Sequence, residues 1–223
     1  MKSFIYLFLF LGYTNIAYGQ LAIIKDVDGY TNVRELPNID SKIIYKLTES
    51  EVFIFELPEE NKDSNWIPVF ISKNKYSLGN SKNLNSLEGF IHKSRLQPIE
   101  ELPDYNGNNF FFKYKLESFN DKNKICDYKD NFLMQINGRN IYGTDGNIPK
   151  IEVKGIDIKY KSVLVEVPKV FYEDIFECSN NFKVIKNKED FILYQWNSDG
   201  AGGYLIAWVI GDNSIKQRLV FIP

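Results

Sequence analysis

Apolar and polar residues alternate over short stretches along most of the chain, with the period of two that is typical of β-strands. In Tyr30–Arg34, Thr31 and Val33 fall on one face, and Tyr30, Asn32 and Arg34 fall on the other. Comparable stretches are bounded by Gly, Pro, Asn and Asp. In the first half they lie at residues 43–44, 51–55, 66–70 and 89–92. In the second half they lie at residues 110–116, 131–136, 139–142, 151–160, 162–167, 191–196, 204–210 and 215–222.

Three details refine the pattern in the second half. Asn137-Gly138 predicts a two-residue β-hairpin turn. Residues 191–196 and 204–210 are apolar on both faces, which predicts central strands of a covered sheet. Residues 169–177 follow Pro168 and have helical spacing, which predicts one short helix.

A segment bracketed by prolines and rich in asparagine, residues 98–109, divides the chain. We therefore predict an all-β protein of two domains. A first domain spans residues 21–99, and a linker spans 100–109. The second, residues 110–223, is an antiparallel β-sheet or sandwich with at most one short helix.

The first domain resembles the bacterial SH3 (SH3b) family. The blocks that carry the resemblance are residues 31–34, 37–44, 50–53, 66–69 and 89–92, together spanning just over a third of the chain. Thr31 stands where the family has leucine, Ser50 replaces a turn glycine, and residues 72–86 form a long polar insertion. The resemblance implies a small β-barrel and a role at the cell envelope.

The first 19 residues have the features of a secretory signal peptide. Lys2 precedes an apolar run at residues 4–11, and Ala17-Tyr18-Gly19 places small residues before a cleavage point. No cysteine lies near that point, so no lipid anchor is indicated. We expect an exported protein, periplasmic or extracellular, with no stable membrane anchor after cleavage.

Composition narrows the possible functions. The formal net charge is −2 and the charges are interspersed, so we expect no nucleic-acid binding. The two cysteines, Cys126 and Cys178, predict a disulfide if the protein is exported, with two buried free thiols as the alternative.

The sequence favours no catalytic, metal or cofactor site. His92 is the only histidine, too few for the usual zinc centres or Cys-His hydrolases. The stretch 26–29 with Asn32 lacks the closing glutamate of a calcium loop. The glycine-rich residues 199–203 lack the ending of a P-loop and predict a hairpin turn. An enzyme using carboxylates of the second domain is the remaining catalytic alternative.

Five residues of the first domain are candidates for a peptide-binding groove, because aromatic and arginine side chains supply contact area and planar hydrogen bonding. They are Tyr30, Asn32, Arg34, Trp66 and His92. The alternative is that they only hold the barrel together. We expect a non-catalytic binding protein for a cell-envelope ligand such as a peptidoglycan peptide. The competing hypothesis is a periplasmic inhibitor or immunity-type protein that binds a cell-wall-targeting enzyme.

Overall fold

A computed structural model describes residues 20–57, 64–79, 86–198 and 200–222. The predicted all-β class is confirmed: these residues form seventeen strands in antiparallel sheets. Helical structure in the described ranges is confined to four 3₁₀ turns, Lys93–Arg95, Ile99–Glu101, Lys169–Phe171 and Gly200–Gly202. The predicted signal peptide, residues 1–19, lies outside the described residues.

The first sheet contains seven strands in the order β3-β2-β6-β5-β4-β1-β7. Their bounds are β1 Gln20–Ile24, β2 Tyr30–Arg34, β3 Ile43–Thr48, β4 Phe53–Phe55, β5 Trp66–Ser72, β6 Ser86–His92 and β7 Leu96–Pro98. Apolar side chains from six of these strands form one cluster that includes Ala22 of β1 and Leu47 of β3. The sheet therefore curls around its own core.

The described strands form an open sheet and no closed barrel, which corrects the barrel expected from the SH3-like resemblance. The edge strands are β3 and β7. Strand β1 pairs with both β4 and β7, and its other face packs against the second half of the chain. Packing on the second half, rather than closure of the sheet, thus covers this end of the first sheet.

Two three-stranded sheets follow. The outer sheet has the order β13-β12-β8, and the small sheet has the order β11-β10-β9. The hairpin predicted at Asn137-Gly138 is present between β10 and β11, and both residues have the positive φ that such a turn requires (53° and 72°). The strand bounds are β8 Phe110–Ser118, β9 Cys126–Lys129, β10 Phe132–Ile136, β11 Arg139–Asn140, β12 Ile151–Tyr160 and β13 Val163–Val165.

The last four strands form the central sheet in the order β14-β15-β16-β17. Their bounds are β14 Lys183–Asn187, β15 Asp190–Asn197, β16 Tyr204–Gly211 and β17 Ser214–Phe221. All eight residues of β16 are buried, as the two-faced apolar pattern predicts. One face packs with Phe112 and Ile158 of the outer sheet, and the other packs with Leu21 and Ile54 of the first sheet. The molecule thus has three layers, with the central sheet in the middle.

The predicted helix over residues 169–177 is wrong. Only Lys169–Phe171 forms a 3₁₀ turn, directly after Pro168. The residues that follow bond to Tyr142 instead: the Phe176 N–H donates to the Tyr142 carbonyl at 2.9 Å, and the Tyr142 N–H donates to the Asp174 carbonyl at 2.8 Å. Because these backbone groups bond across to another segment, a continuing helix does not form.

Polar contacts reinforce the packing between the first sheet and the central sheet. The Gln217 amide accepts the Val52 N–H and donates to the Val52 carbonyl, each at 2.8 Å, and both bonds are buried. Tyr105, in the predicted linker, donates its N–H to the Val184 carbonyl at 2.7 Å and packs on Phe191. The segment between the two halves is therefore anchored to the central sheet.

A fully buried ion pair joins the central sheet to residues 75–79. The Arg218 guanidinium contacts both oxygens of Asp174, at 2.8 and 3.1 Å, and also donates to the Ser77 carbonyl at 2.7 Å. Asp174 additionally accepts the Gly79 N–H at 2.6 Å and a bond from Arg139 at 3.3 Å. The Asp174 carboxylate thus bonds to two arginine side chains and to the loop at residues 75–79 in the interior.

Asp174→Ala should lower the free energy of unfolding by about 3–5 kcal/mol, because it leaves the buried Arg218 without a counter-charge. The matched control is Asp157→Ala, which removes an exposed carboxylate paired with Lys115 at 2.8 Å and should change stability by about 0–1 kcal/mol. Urea denaturation measures both. Equal effects of the two changes would contradict this role for the ion pair.

Leu21→Ala should destabilise both halves together. Leu21 is fully buried in the cluster shared by the first and central sheets, and removing a buried leucine side chain costs about 2–5 kcal/mol. Scanning calorimetry should show one unfolding transition, shifted to lower temperature. The exposed Leu36→Ala should leave that transition nearly unchanged. Two separate unfolding transitions, only one of which shifts to lower temperature in Leu21→Ala, would show that the halves unfold independently.

Candidate functional site

The five candidate residues line one open cleft of about 190 Å³ on the solvent side of the first sheet. The alternation of β2 produces this arrangement: Thr31 and Val33 are buried, while Tyr30, Asn32 and Arg34 face outward. Five further residues line the cleft and were not among the predicted binding residues: Asp26, Asp28, Thr31, Ile39 and Arg95.

Strands β5 and β6 supply the aromatic part of the cleft. Trp66 lies opposite His92 in the strand register, and their rings meet edge to face with centroids 5.6 Å apart. Gly89 allows the close approach of β2, because a Cβ atom at this position would lie 2.6 Å from Val33 Cγ1 and 2.8 Å from the Arg34 carbonyl. The glycine of the 89–92 block therefore has a packing role.

The outward side chains of β2 are partly committed to local contacts. The Arg34 guanidinium donates one hydrogen bond to the Ser41 carbonyl at 2.6 Å, which holds the loop between β2 and β3 in place. The Lys46 ammonium lies 3.4 Å from the centroid of the Tyr30 ring. His92 Nδ1 accepts the Ser94 N–H at 3.3 Å and lies 2.8 Å from the Ser94 hydroxyl. These contacts hold the side chains in place and leave most of the Arg34 donors without a bond to another described residue.

Asp26 supports the edge of the cleft. Its carboxylate accepts the Asp28 N–H at 3.1 Å and the Thr31 hydroxyl at 3.0 Å, and it pairs with Arg95 at 2.7 Å. The Asp28 N–H, with further contributions from Thr31 and Arg95, holds the pKa of Asp26 below its usual range. Asp26 is therefore an ionised structural group, whereas the Asp28 carboxylate has no bond to another described residue.

The polar insertion at residues 72–86 and the glycine-rich residues 199–203 lie in different structural settings. In the insertion, the Ser77 N–H donates to the Arg218 carbonyl at 2.7 Å, and the Tyr76 hydroxyl donates to the Ile215 carbonyl at 2.8 Å. This part of the insertion packs on β17, and residues 80–85 lie outside the described residues.

In the glycine-rich stretch, Gly200–Gly202 forms a 3₁₀ turn between β15 and β16, and residue 199 is likewise not described.

Cys126 and Cys178, the predicted disulfide partners, are both free thiols in the structure. Cys178 lies in the main core with its sulfur 2.9 Å from the Tyr204 hydroxyl. Cys126 packs beside a separate cluster formed by Leu133, Ile136 and Phe176. The two sulfurs are thus held in different packing environments. Burial raises the pKa of Cys178 to about 12, and desolvation also raises the pKa of Cys126.

Within the described residues, no group of three or more His, Cys, Asp or Glu side chains is placed to hold a metal ion. No helix in those same ranges has the length and apolarity needed to cross a membrane. No protein-family model, no curated protein and no solved structure matches the chain.

Thiol labelling under native conditions should modify Cys126 faster than Cys178. The reactive species is the thiolate, and Cys178 is both buried and held in the thiol form by its raised pKa. Labelling should accelerate with increasing pH, and denaturation without reductant should yield two thiols per chain. The variant Cys126→Ser should lose the fast phase. Two thiols missing after denaturation would instead reveal a disulfide.

Proposed function

We propose that this is a non-catalytic, exported binding protein whose cleft recognises a cell-envelope ligand such as a peptidoglycan peptide. The observation that carries the proposal is the convergence of Tyr30, Asn32, Arg34, Trp66 and His92 on one cleft, although they are spread over some sixty positions of the sequence. The SH3-like order of the sequence blocks supports the same assignment.

The chemistry of the cleft suits a short peptide that carries both a carboxylate and an ammonium group. Arg34 has planar donors in addition to the one bonded to Ser41, and such donors fit a carboxylate. The exposed Asp28 carboxylate offers a partner for an ammonium group. Trp66 supplies a flat apolar surface between polar groups, as ligand sites commonly do.

A binding role is favoured over catalysis because the one hydroxyl–imidazole contact at the cleft, between Ser94 and His92, has no carboxylate on the other ring nitrogen among the described residues. His92 is the only histidine of the chain, and its Nδ1 atom is engaged by Ser94. Asp26 is fully occupied by Asp28, Thr31 and Arg95. The cleft residues are therefore better suited to hold a ligand than to transfer its protons.

A protein partner, as in a periplasmic inhibitor or immunity-type protein, is the second candidate. Ile39 of the cleft lining is exposed (66%), as are Leu36 (57%) in the same loop and Ile43 (48%) at the start of β3. Exposed apolar side chains that cluster beside a polar cleft are common at protein interfaces. Substituting Leu36 and Ile43 with serine should weaken binding of a protein partner while retaining binding of isolated peptides.

The double change Tyr30→Ala with Arg34→Ala should reduce binding to purified peptidoglycan by ~10-fold or more, equivalent to about 1.4 kcal/mol. The matched control is Tyr128→Ala with Lys129→Ala, which removes an exposed aromatic and a cation from β9, away from the cleft. Sedimentation with sacculi and titration with soluble peptide fragments measure binding, and melting temperatures verify folding. Equal binding by both folded variants would place the ligand elsewhere.

A further inference from the structure

A second concavity, of about 370 Å³, lies far along the chain from the cleft and is lined only by lysines and asparagines. Its lining comes from the β8–β9 loop, the β10–β11 turn, β12 and the turn Lys169–Phe171. Its volume is within the range of small-ligand sites, about 300–1,000 Å³. The four lysines are Lys122, Lys124, Lys154 and Lys169.

The lysines are only partly neutralised. Lys124 and Lys154 share a single carboxylate, Glu152, at 2.6 and 3.1 Å. Lys169 shares Glu173 with Arg139, each at 3.3 Å. Lys122 has no ion-pair partner in the part of the chain that the structure describes. The four lysines of the lining thus have two carboxylate partners, Glu152 and Glu173, which leaves a local excess of positive charge in a chain whose net charge is −2.

Glu152 holds two of the lining lysines, Lys124 and Lys154, in place. Only 6% of its side chain is exposed, and it also accepts the Asn120 N–H at 3.2 Å. Burial alone would raise the pKa of Glu152, but the hydrogen bonds from Lys124 and Lys154 outweigh that effect and hold the pKa below its usual range. Lys124, with 15% of its side chain exposed, is further held by the Asn120 carbonyl at 2.6 Å. Its ammonium position is therefore set before any ligand arrives.

The asparagines add donors rather than acceptors. Asn120 Oδ1 accepts the Lys122 N–H at 2.9 Å, and Asn137 Oδ1 accepts the Ile125 N–H at 2.9 Å. Because the carbonyl side of each amide is bonded to the backbone, the NH₂ group is the part that remains available. Those NH₂ groups have no acceptor among the described residues.

We propose that this concavity binds a phosphate-bearing ligand with several negative charges. Fixed lysine ammoniums act as point charges for phosphate oxygens, and amide NH₂ groups supply the neutral hydrogen bonds. Apolar side chains and free carboxylates are missing from its lining, so an apolar or cationic ligand has no matching group there. The site is separate from the cleft of the proposed function and does not depend on that function.

The test is calorimetric titration of the full chain with inorganic pyrophosphate and tripolyphosphate at low ionic strength. We expect saturable binding that weakens as salt is added. The double variant Lys122→Gln with Lys154→Gln should weaken binding by ~10-fold or more, about 1.4 kcal/mol. Glu152 keeps its bond to Lys124 in this variant. Lys122→Gln alone breaks no ion pair among the described residues and should also weaken binding of both ligands.

The matched control is Lys113→Gln with Lys159→Gln, which removes the same charge from exposed positions of β8 and β12 outside the concavity. Its affinity should stay within about two-fold of the unmodified protein, because neither lysine lines the concavity and the attraction between charges weakens with distance. The proposal would be overturned by equal losses in both double variants, which would indicate a general charge effect. Absence of saturable pyrophosphate binding at low salt would overturn it as well.

Discussion

Burial of both faces of the central sheet is the constraint on which the rest of the structure depends. Strand β16 exposes neither face, so a layer is required on each side. Strands β1 and β4 cover one side, and β8 and β12 cover the other. Phe70 of β5 takes part in this packing, whereas the outward side chains of β2 and the Trp66 and His92 ends of β5 and β6 do not, and the candidate cleft lies there. Packing of the interior thus determines which surface is available for binding.

Buried charge adds a second constraint on the interior. Arg218 is surrounded by Asp174, Ser77, Trp208 and Tyr142, with its guanidinium carbon 5.6 and 5.9 Å from the centres of the two aromatic rings. A hydrophobic residue at position 218 could fill similar space and keep the backbone bonds to Lys75 and Ser77, but it would lose the side-chain bonds to the Ser77 carbonyl and to Asp174. Breaking such a buried pair costs more than the intact pair contributes to stability, because the remaining charge stays buried without a partner.

Local features of the fold could be predicted from the sequence, whereas long-range ones could not. Alternation identified β2 and the cleft side chains, and Asn137-Gly138 identified a hairpin, because both depend on neighbouring residues. The open edge of the first sheet and the partner of Arg218 depend on contacts between distant segments. Strand β14 forms a tight hairpin with β15, but its turn, Lys188-Glu189, contains no glycine, proline or asparagine that would indicate it. The disulfide prediction followed from the even count of cysteines, which contains no information on where each packs. The lysine concavity was missed because four separate segments form it.

The hydrogen bonds between Val52 and Gln217 join residues that are 165 positions apart. Contacts of such long sequence separation form late, because much chain entropy is lost before they contribute, and they slow folding. Until the central sheet is in place, Leu21, Ile23 and Ile54 have no partner layer. The incomplete fold therefore exposes an apolar strand surface that is prone to aggregation. A chain built in this way requires protection from premature association while it folds.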